Sequence, residues 1–174
     1  GLAVGEPPTT KGYPPSVFAA LPRLLERAGN AENGGITGIY TVLVEGDDFN
    51  EPIADAARSI LDGHIVLSRR LATAGHFPAI EVLESVSRVR DRIIDAEHRR
   101  AASEMQRLLA ASREKEDLIA VGAYQPGSSA EVDAAIAARD AFMEFLRQRP
   151  DEPAGFEDTR RRLLGVVDGA GGQG

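Results

Sequence analysis

Residues 36–44, Ile-Thr-Gly-Ile-Tyr-Thr-Val-Leu-Val, restrict the fold more than any other stretch of the chain. The run is β-branched and aromatic, bounded by glycines, and too apolar on both sides for a strand with one wet face. It is predicted to be a buried central strand. An acidic turn, Glu-Gly-Asp-Asp (45–48), follows directly, then a short helix over 53–61 and a second strand over 64–68. Strand, helix, strand predicts a right-handed crossover in a parallel sheet.

Before that run, a loop rich in Pro, Thr and Gly over 5–15 leads into Phe18, Leu21, Leu24, Leu25 and Ala28 at helical spacing, with Gly29 as the stop. Pro22 falls inside this pattern and implies a kink. From Asp91 onward the period is helical: Ile94, Ala101, Met105 and Leu108 share one face, with Arg and Glu on the other. Breaks at 122–127 and 150–153 divide the rest into further helices, the last over 156–167. The expected fold class is α/β then all-α, with an α/β part over 1–90, a helical part over 91–167 and a disordered tail over 168–174.

Composition narrows the function. Apolar residues make up 43% of the chain, enough for a core. The 27 Asp and Glu outnumber the 20 Lys and Arg, and a net charge of -7 gives no pull toward phosphate backbones or anionic lipid. Nucleic-acid binding is therefore disfavoured. The chain has no cysteine, which excludes disulfide frameworks, zinc knuckles and thiol catalysis. It contains no apolar run of about 18 residues and no secretory signal layout, so the cytoplasm is the expected location. A start at Gly-Leu-Ala-Val suggests a piece of a longer chain.

Catalytic motifs are few. A phosphate loop needs Gly-x4-Gly-Lys-Ser/Thr so that backbone amides wrap the phosphates, and the sequence has no such run. Lys11 precedes its glycine and reads as a loop lysine. His64, His76 and His98 lie at no spacing that puts two imidazoles on one metal, and no Gly-x-Ser-x-Gly elbow occurs. No metal site is expected within this chain. Asp47 and Asp48 read either as an acid/base or Mg²⁺ pair at a strand end or as a turn that caps the next helix. Arg88, in Ser-Val-Ser-Arg-Val (85–89), is either a guided guanidinium or a surface arginine. Phe77, in Gly-His-Phe-Pro-Ala (75–79), either stacks on a base or packs in a turn.

Four long motifs occur together: Gly-Glu-Pro-Pro-Thr-Thr-Lys-Gly-Tyr-Pro-Pro-Ser-Val-Phe (5–18), Val-Glu-Gly-Asp-Asp (44–48), Ile-Leu-Asp-Gly-His-Ile-Val-Leu-Ser-Arg (60–69) and Gly-Ala-Tyr-Gln-Pro-Gly (122–127). They closely resemble the flagellum-specific protein-export ATPase family, which with its virulence type III secretion cousins resembles the catalytic subunit of rotary ATP synthases. The match runs from the first residue to about Phe145, with an echo in Phe-Glu-Asp-Thr (156–159).

The resemblance implies the second half of a RecA-like P-loop ATPase domain followed by a C-terminal helical domain. The phosphate loop, catalytic glutamate and acidic magnesium motif would lie upstream of Gly1. Arg88 aligns with the arginine that such hexamers insert into the neighbour's ATP site. Phe77 matches a position, usually tyrosine, whose ring packs against adenine. Tyr124 and Gln125 lie where rotary subunits carry an acidic loop facing the central stalk, a loop that here has no charge.

The implied cofactors are ATP and Mg²⁺, both requiring upstream residues, and the implied assembly is a homohexamer that hydrolyses ATP to energise flagellar or type III protein export. Implied partners are a stalk-like export protein, regulatory or chaperone proteins, export substrates and an export gate at the membrane. The implied location is the cytoplasm, peripheral to the inner-membrane export apparatus. The chain by itself is expected to be inactive. The alternative is a non-catalytic interaction module that presents its helical domain to stalk or chaperone partners.

Overall fold

A computed structural model describes residues 5–171. The chain divides between His64 and Ile65 into two compact units.

In the first unit, helix α1 (Pro15–Leu25) and helix α2 (Pro52–Ile60) each begin on a proline, whose missing N–H is harmless in a first turn. They pack against each other around Leu25, Ala54 and Ala57, all buried. Pro22 lies inside α1. Strands β1 (Gly29–Ala31) and β2 (Gly34–Ile36) form an antiparallel hairpin with Ala31 opposite Gly34. A two-residue strand, β3 (Gly63–His64), closes the unit.

The predicted buried strand over 36–44 is not formed. β2 ends at Ile36, and Ile36, Ile39 and Leu43 are 69%, 91% and 88% exposed. A central strand is made by neighbours that satisfy its backbone on both edges, and among the described residues no strand pairs with 37–44. Tyr40 is partly buried, and its hydroxyl donates to the Leu25 carbonyl at 3.3 Å. The parallel crossover is absent among the described residues for the same reason. The strand expected over 64–68 is reduced to β3 and a single antiparallel bridge between Leu67 and Ile80.

The second unit opens on helix α3 (Arg69–Thr73), capped by Ser68, whose side chain accepts from the Leu71 N–H at 3.3 Å. Strand β4 (Val86–Ser87) and helix α4 (Arg90–Ile93) follow. Helix α5 (Ala96–Glu114) is capped by Asp95, which accepts from the His98 N–H at 2.8 Å. Ile94 stands ahead of this cap, outside α5. Helix α6 (Glu116–Ala120), helix α7 (Ala130–Leu146) with Ser129 as its cap, and helix α8 (Phe156–Gly171) complete the unit. The helix α8 runs on through Gly171, past the predicted tail boundary at 168.

The core lies where α5, α7 and α8 meet. Ala101, Met105 and Leu108 face Ala135, Ala138 and Phe142, with Leu163 and Val167 closing the third side. These positions recur at three- and four-residue spacing, the apolar stripe of an amphipathic helix. Alanines on α5 and α7 let the backbones approach closely, and Phe142, 1% exposed, fills the space that remains. The order of a mixed N-terminal part followed by helices is the fold class that the sequence predicts.

Two outcomes follow from this packing. Phe142→Ala should destabilise the helical unit by about 3–5 kcal/mol in denaturant titrations. Ile39→Asp with Leu43→Asp should reduce self-association of the 174-residue chain in light scattering, because exposed apolar patches promote it. Neither of these two substitutions should change the melting of the helical unit.

Candidate functional site

Phe77 sits on a tightly tethered loop. Past α3 the chain turns at Gly75, whose φ of 69° suits glycine. The His76 N–H then donates to the Leu71 carbonyl at 2.9 Å. The His76 side chain is 4% exposed, and burial, followed by the charge of Arg147, holds its imidazole below the usual range. The Phe77–Pro78 peptide is cis, and the Phe77 carbonyl accepts from the Gln148 N–H at 3.0 Å. Held from both sides in this way, the loop leaves the Phe77 ring 55% exposed. An exposed ring on an anchored loop is able to stack on a planar ligand.

Arg88 is exposed on the short link between β4 and α4. The approach to it is fixed by backbone bonds: Ser68 N–H to the Ala79 carbonyl at 2.8 Å and Glu81 N–H to the Val66 carbonyl at 2.8 Å. Ser85, three residues before Arg88, is held twice. Its hydroxyl donates to the Glu81 carbonyl at 2.8 Å and accepts from the Val66 N–H at 3.0 Å. The result is a guanidinium presented at the surface from a segment of defined path.

Tyr124 and Gln125 share the turn between α6 and α7. The N–H groups of Ala123 and Tyr124 both donate to the Leu118 carbonyl, at 2.8 and 3.1 Å. The Tyr124 hydroxyl lies 3.0 Å from Asp133 Oδ1 and 3.1 Å from the Ser129 carbonyl, while the Gly127 N–H donates to Asp133 Oδ2 at 2.9 Å. Thus the Tyr124 hydroxyl is engaged within the loop, and what faces outward is Gln125 and its neighbours, all exposed. Asp133 is the residue that sequence reading missed. Its only signal is a carboxylate in the first turn of a helix capped by Ser129.

Asp48 does not cap α2. Glu51 occupies the cap position with no side-chain bond, and Asp48 instead pairs with Lys11 at 2.6 Å. That contact raises the Lys11 pKa and lowers that of Asp48, whose carboxylate also accepts from the Asn50 N–H at 3.1 Å. Of His64, His76 and His98, none belongs to a metal-binding group: among the described residues no cluster of three His, Cys, Asp or Glu could hold an ion. Nor, among them, is any helix long and apolar enough to cross a membrane. Phe77 offers an exposed ring that a planar group could stack on, and Arg88 an exposed guanidinium suited to an anion. The sequence contains no phosphate-loop run.

Residues 1–87 match the ATP synthase alpha/beta family, nucleotide-binding domain, and residues 94–165 match the T3SS EscN ATPase C-terminal domain. The chain therefore belongs to the ATP synthase alpha/beta family, where it is a nucleotide-binding domain portion joined to a helical C-terminal domain. Within that family its relatives are the ATPases of flagellar and type III secretion systems. It is 56% identical over 174 residues to the flagellum-specific ATP synthase of Pseudomonas aeruginosa, a match covering 99% of this chain and 38% of that protein. Among solved structures it is similar to the assembled ATPase EscN from the enteropathogenic E. coli type III secretion system, with a TM-score of 0.91 and 49% identity over 95% of this chain and 40% of the other. A structure of the same ATPase in complex with its central stalk EscO gives a TM-score of 0.83 and 48% identity over 95% of this chain and 39% of the other. The chain thus spans about two fifths of the length of these relatives.

Tyr124→Phe removes the hydroxyl from Asp133 and should lower the local stability of the loop by about 1 kcal/mol. Faster hydrogen exchange at the Gly127 amide, with the α5–α7–α8 core unchanged, is the expected reading.

Proposed function

We propose that this chain is the C-terminal part of an ATPase that hydrolyses Mg²⁺-ATP in a homohexamer to energise flagellar or type III protein export. Arg88 reaches into the ATP site of the neighbouring subunit, and Phe77 lies against the adenine. What carries this reading is an exposed arginine at the end of a doubly held segment, in a chain 56% identical throughout to a flagellum-specific ATP synthase.

The chemistry fits the residues. In phosphoryl transfer, charge spreads over the oxygens of the transferring group, and a guanidinium supplied from outside stabilises it. Arginine is suited to that task because it is always charged and forks toward two oxygens at once. Phenylalanine keeps the stacking face of an aromatic base contact. ATP and Mg²⁺ would be held chiefly by residues upstream of this chain, where the phosphates would be wrapped.

Partners follow from the same reading. The turn at 122–127 faces a stalk-like protein through Gln125 and the rim around it, with Tyr124 as its internal brace. Regulatory or chaperone proteins, export substrates and the membrane gate are the remaining partners, and the protein works in the cytoplasm at the inner-membrane export apparatus. The alternative reading is a non-catalytic interaction module that presents the helical domain to stalk or chaperone partners.

In the complete protein, Arg88→Ala should lower turnover by roughly 10³-fold while nucleotide still binds. Phe77→Ala should weaken nucleotide binding by roughly 2- to 10-fold, the worth of one aromatic stacking contact. Unimpaired turnover in Arg88→Ala would remove the assignment.

A further inference from the structure

Three polar residues of α5 follow one another at intervals of seven: Arg99, Gln106 and Arg113. Seven residues are two helical turns to within about 20°, so the three share one face. Each holds the segment that carries Arg88. Arg113 donates to Glu84 at 2.7 Å and lies 3.6 Å from Glu81. Gln106 accepts from Arg90 at 3.0 Å. Arg99 donates to the Asp91 carbonyl at 2.9 Å and lies 3.5 Å from its carboxylate.

The two sets of contacts bracket Arg88. Those from Arg113 fall ahead of it, on the turn that also contains Ser85. Those from Gln106 and Arg99 fall just after it, on α4. Arg70 reinforces the first set, lying 3.6 Å from Glu81 and 3.2 Å from Glu116 of α6. The Glu81 side chain, 13% exposed, is thereby held between two guanidinium groups. Neither β4 nor α4 is longer than four residues, so regular structure alone does little to fix this stretch. The helix does fix it, because the other stripe of α5 is locked into the α5–α7–α8 core.

We propose that the polar stripe of α5 is a positioning device for Arg88, with Arg113 and Gln106 as its positioning residues. This rests on the reading of Arg88 as the residue that acts in the neighbour's ATP site. Partly exposed ion pairs add little to stability, so losing one should leave the protein folded and show in the geometry of Arg88 instead. Small displacements of a group that acts only in the transition state cost far more in rate than in binding.

The test is a double-mutant cycle in the complete protein, with turnover, KM, nucleotide binding and melting temperature measured for each variant. Arg113→Met and, independently, Gln106→Met should each lower kcat by roughly 10-fold, leaving KM, nucleotide binding and melting temperature near wild type. Arg113→Lys, which keeps the charge and loses the fork, should fall between. In an Arg88→Ala background the same substitutions should have no further effect, because the group they position is gone. Equal fractional losses with and without Arg88 would overturn the positioning role and leave Arg88 itself in place. Full turnover in Arg88→Ala alone would overturn both.

Discussion

Everything ordered in the second unit is referred to the contact of α5 with α7 and α8. Met105 and Leu108 meet Phe142, Leu163 and Val167 in a core where small residues set the distance and one aromatic ring fills it. Because interiors are close-packed, such a contact fixes the rotation of α5 about its own axis as well as its position. Once that rotation is set, so is the direction of every other stripe on the helix. The Arg99, Gln106 and Arg113 face is then aimed at the 81–91 segment by packing on a different side.

The three segments that present Phe77, Arg88 and Gln125 are held in different ways. The loop carrying Phe77 is held by backbone bonds, to Leu71 and Gln148, and by the burial of His76. The segment carrying Arg88 is held by backbone bonds at Ser68 and Glu81 and, in addition, by side chains, with Ser85 as the local anchor. The turn at 122–127 is held by the Leu118 carbonyl, which accepts two backbone bonds, and by the Asp133 carboxylate, which accepts at both oxygens. In each case the exposed group differs from the groups that set the path of the chain. A family resemblance finds the exposed residues, whereas the bracing residues emerge only from coordinates.

That difference also explains what could be read from the sequence. The helical half was legible because Ala101, Met105 and Leu108 recur at a helical period and their partners lie within the same unit. Glycine and proline marked the breaks between helices. The strand over 36–44 was not realised, since its β-branched pattern records a need for neighbours on both edges, and pairing is a property of two segments rather than of one. Asp48 looked like a cap by position and instead found Lys11, a partner 37 residues away. Arg113, Gln106 and Asp133 carried no distinguishing signal, as polar residues on helices are most often solvated.

The core of the second unit is assembled from three helices, all within residues 96–171, joined by a segment that contains α6 and by the loop before α8. Contacts between segments so close along the chain cost little loop entropy to close, and folds built from them form quickly. The first unit has a different task, for its apolar run at 36–44 finds no pairing within this stretch of chain. Of the two units, the second is therefore the one whose core closes from segments within its own span of the chain.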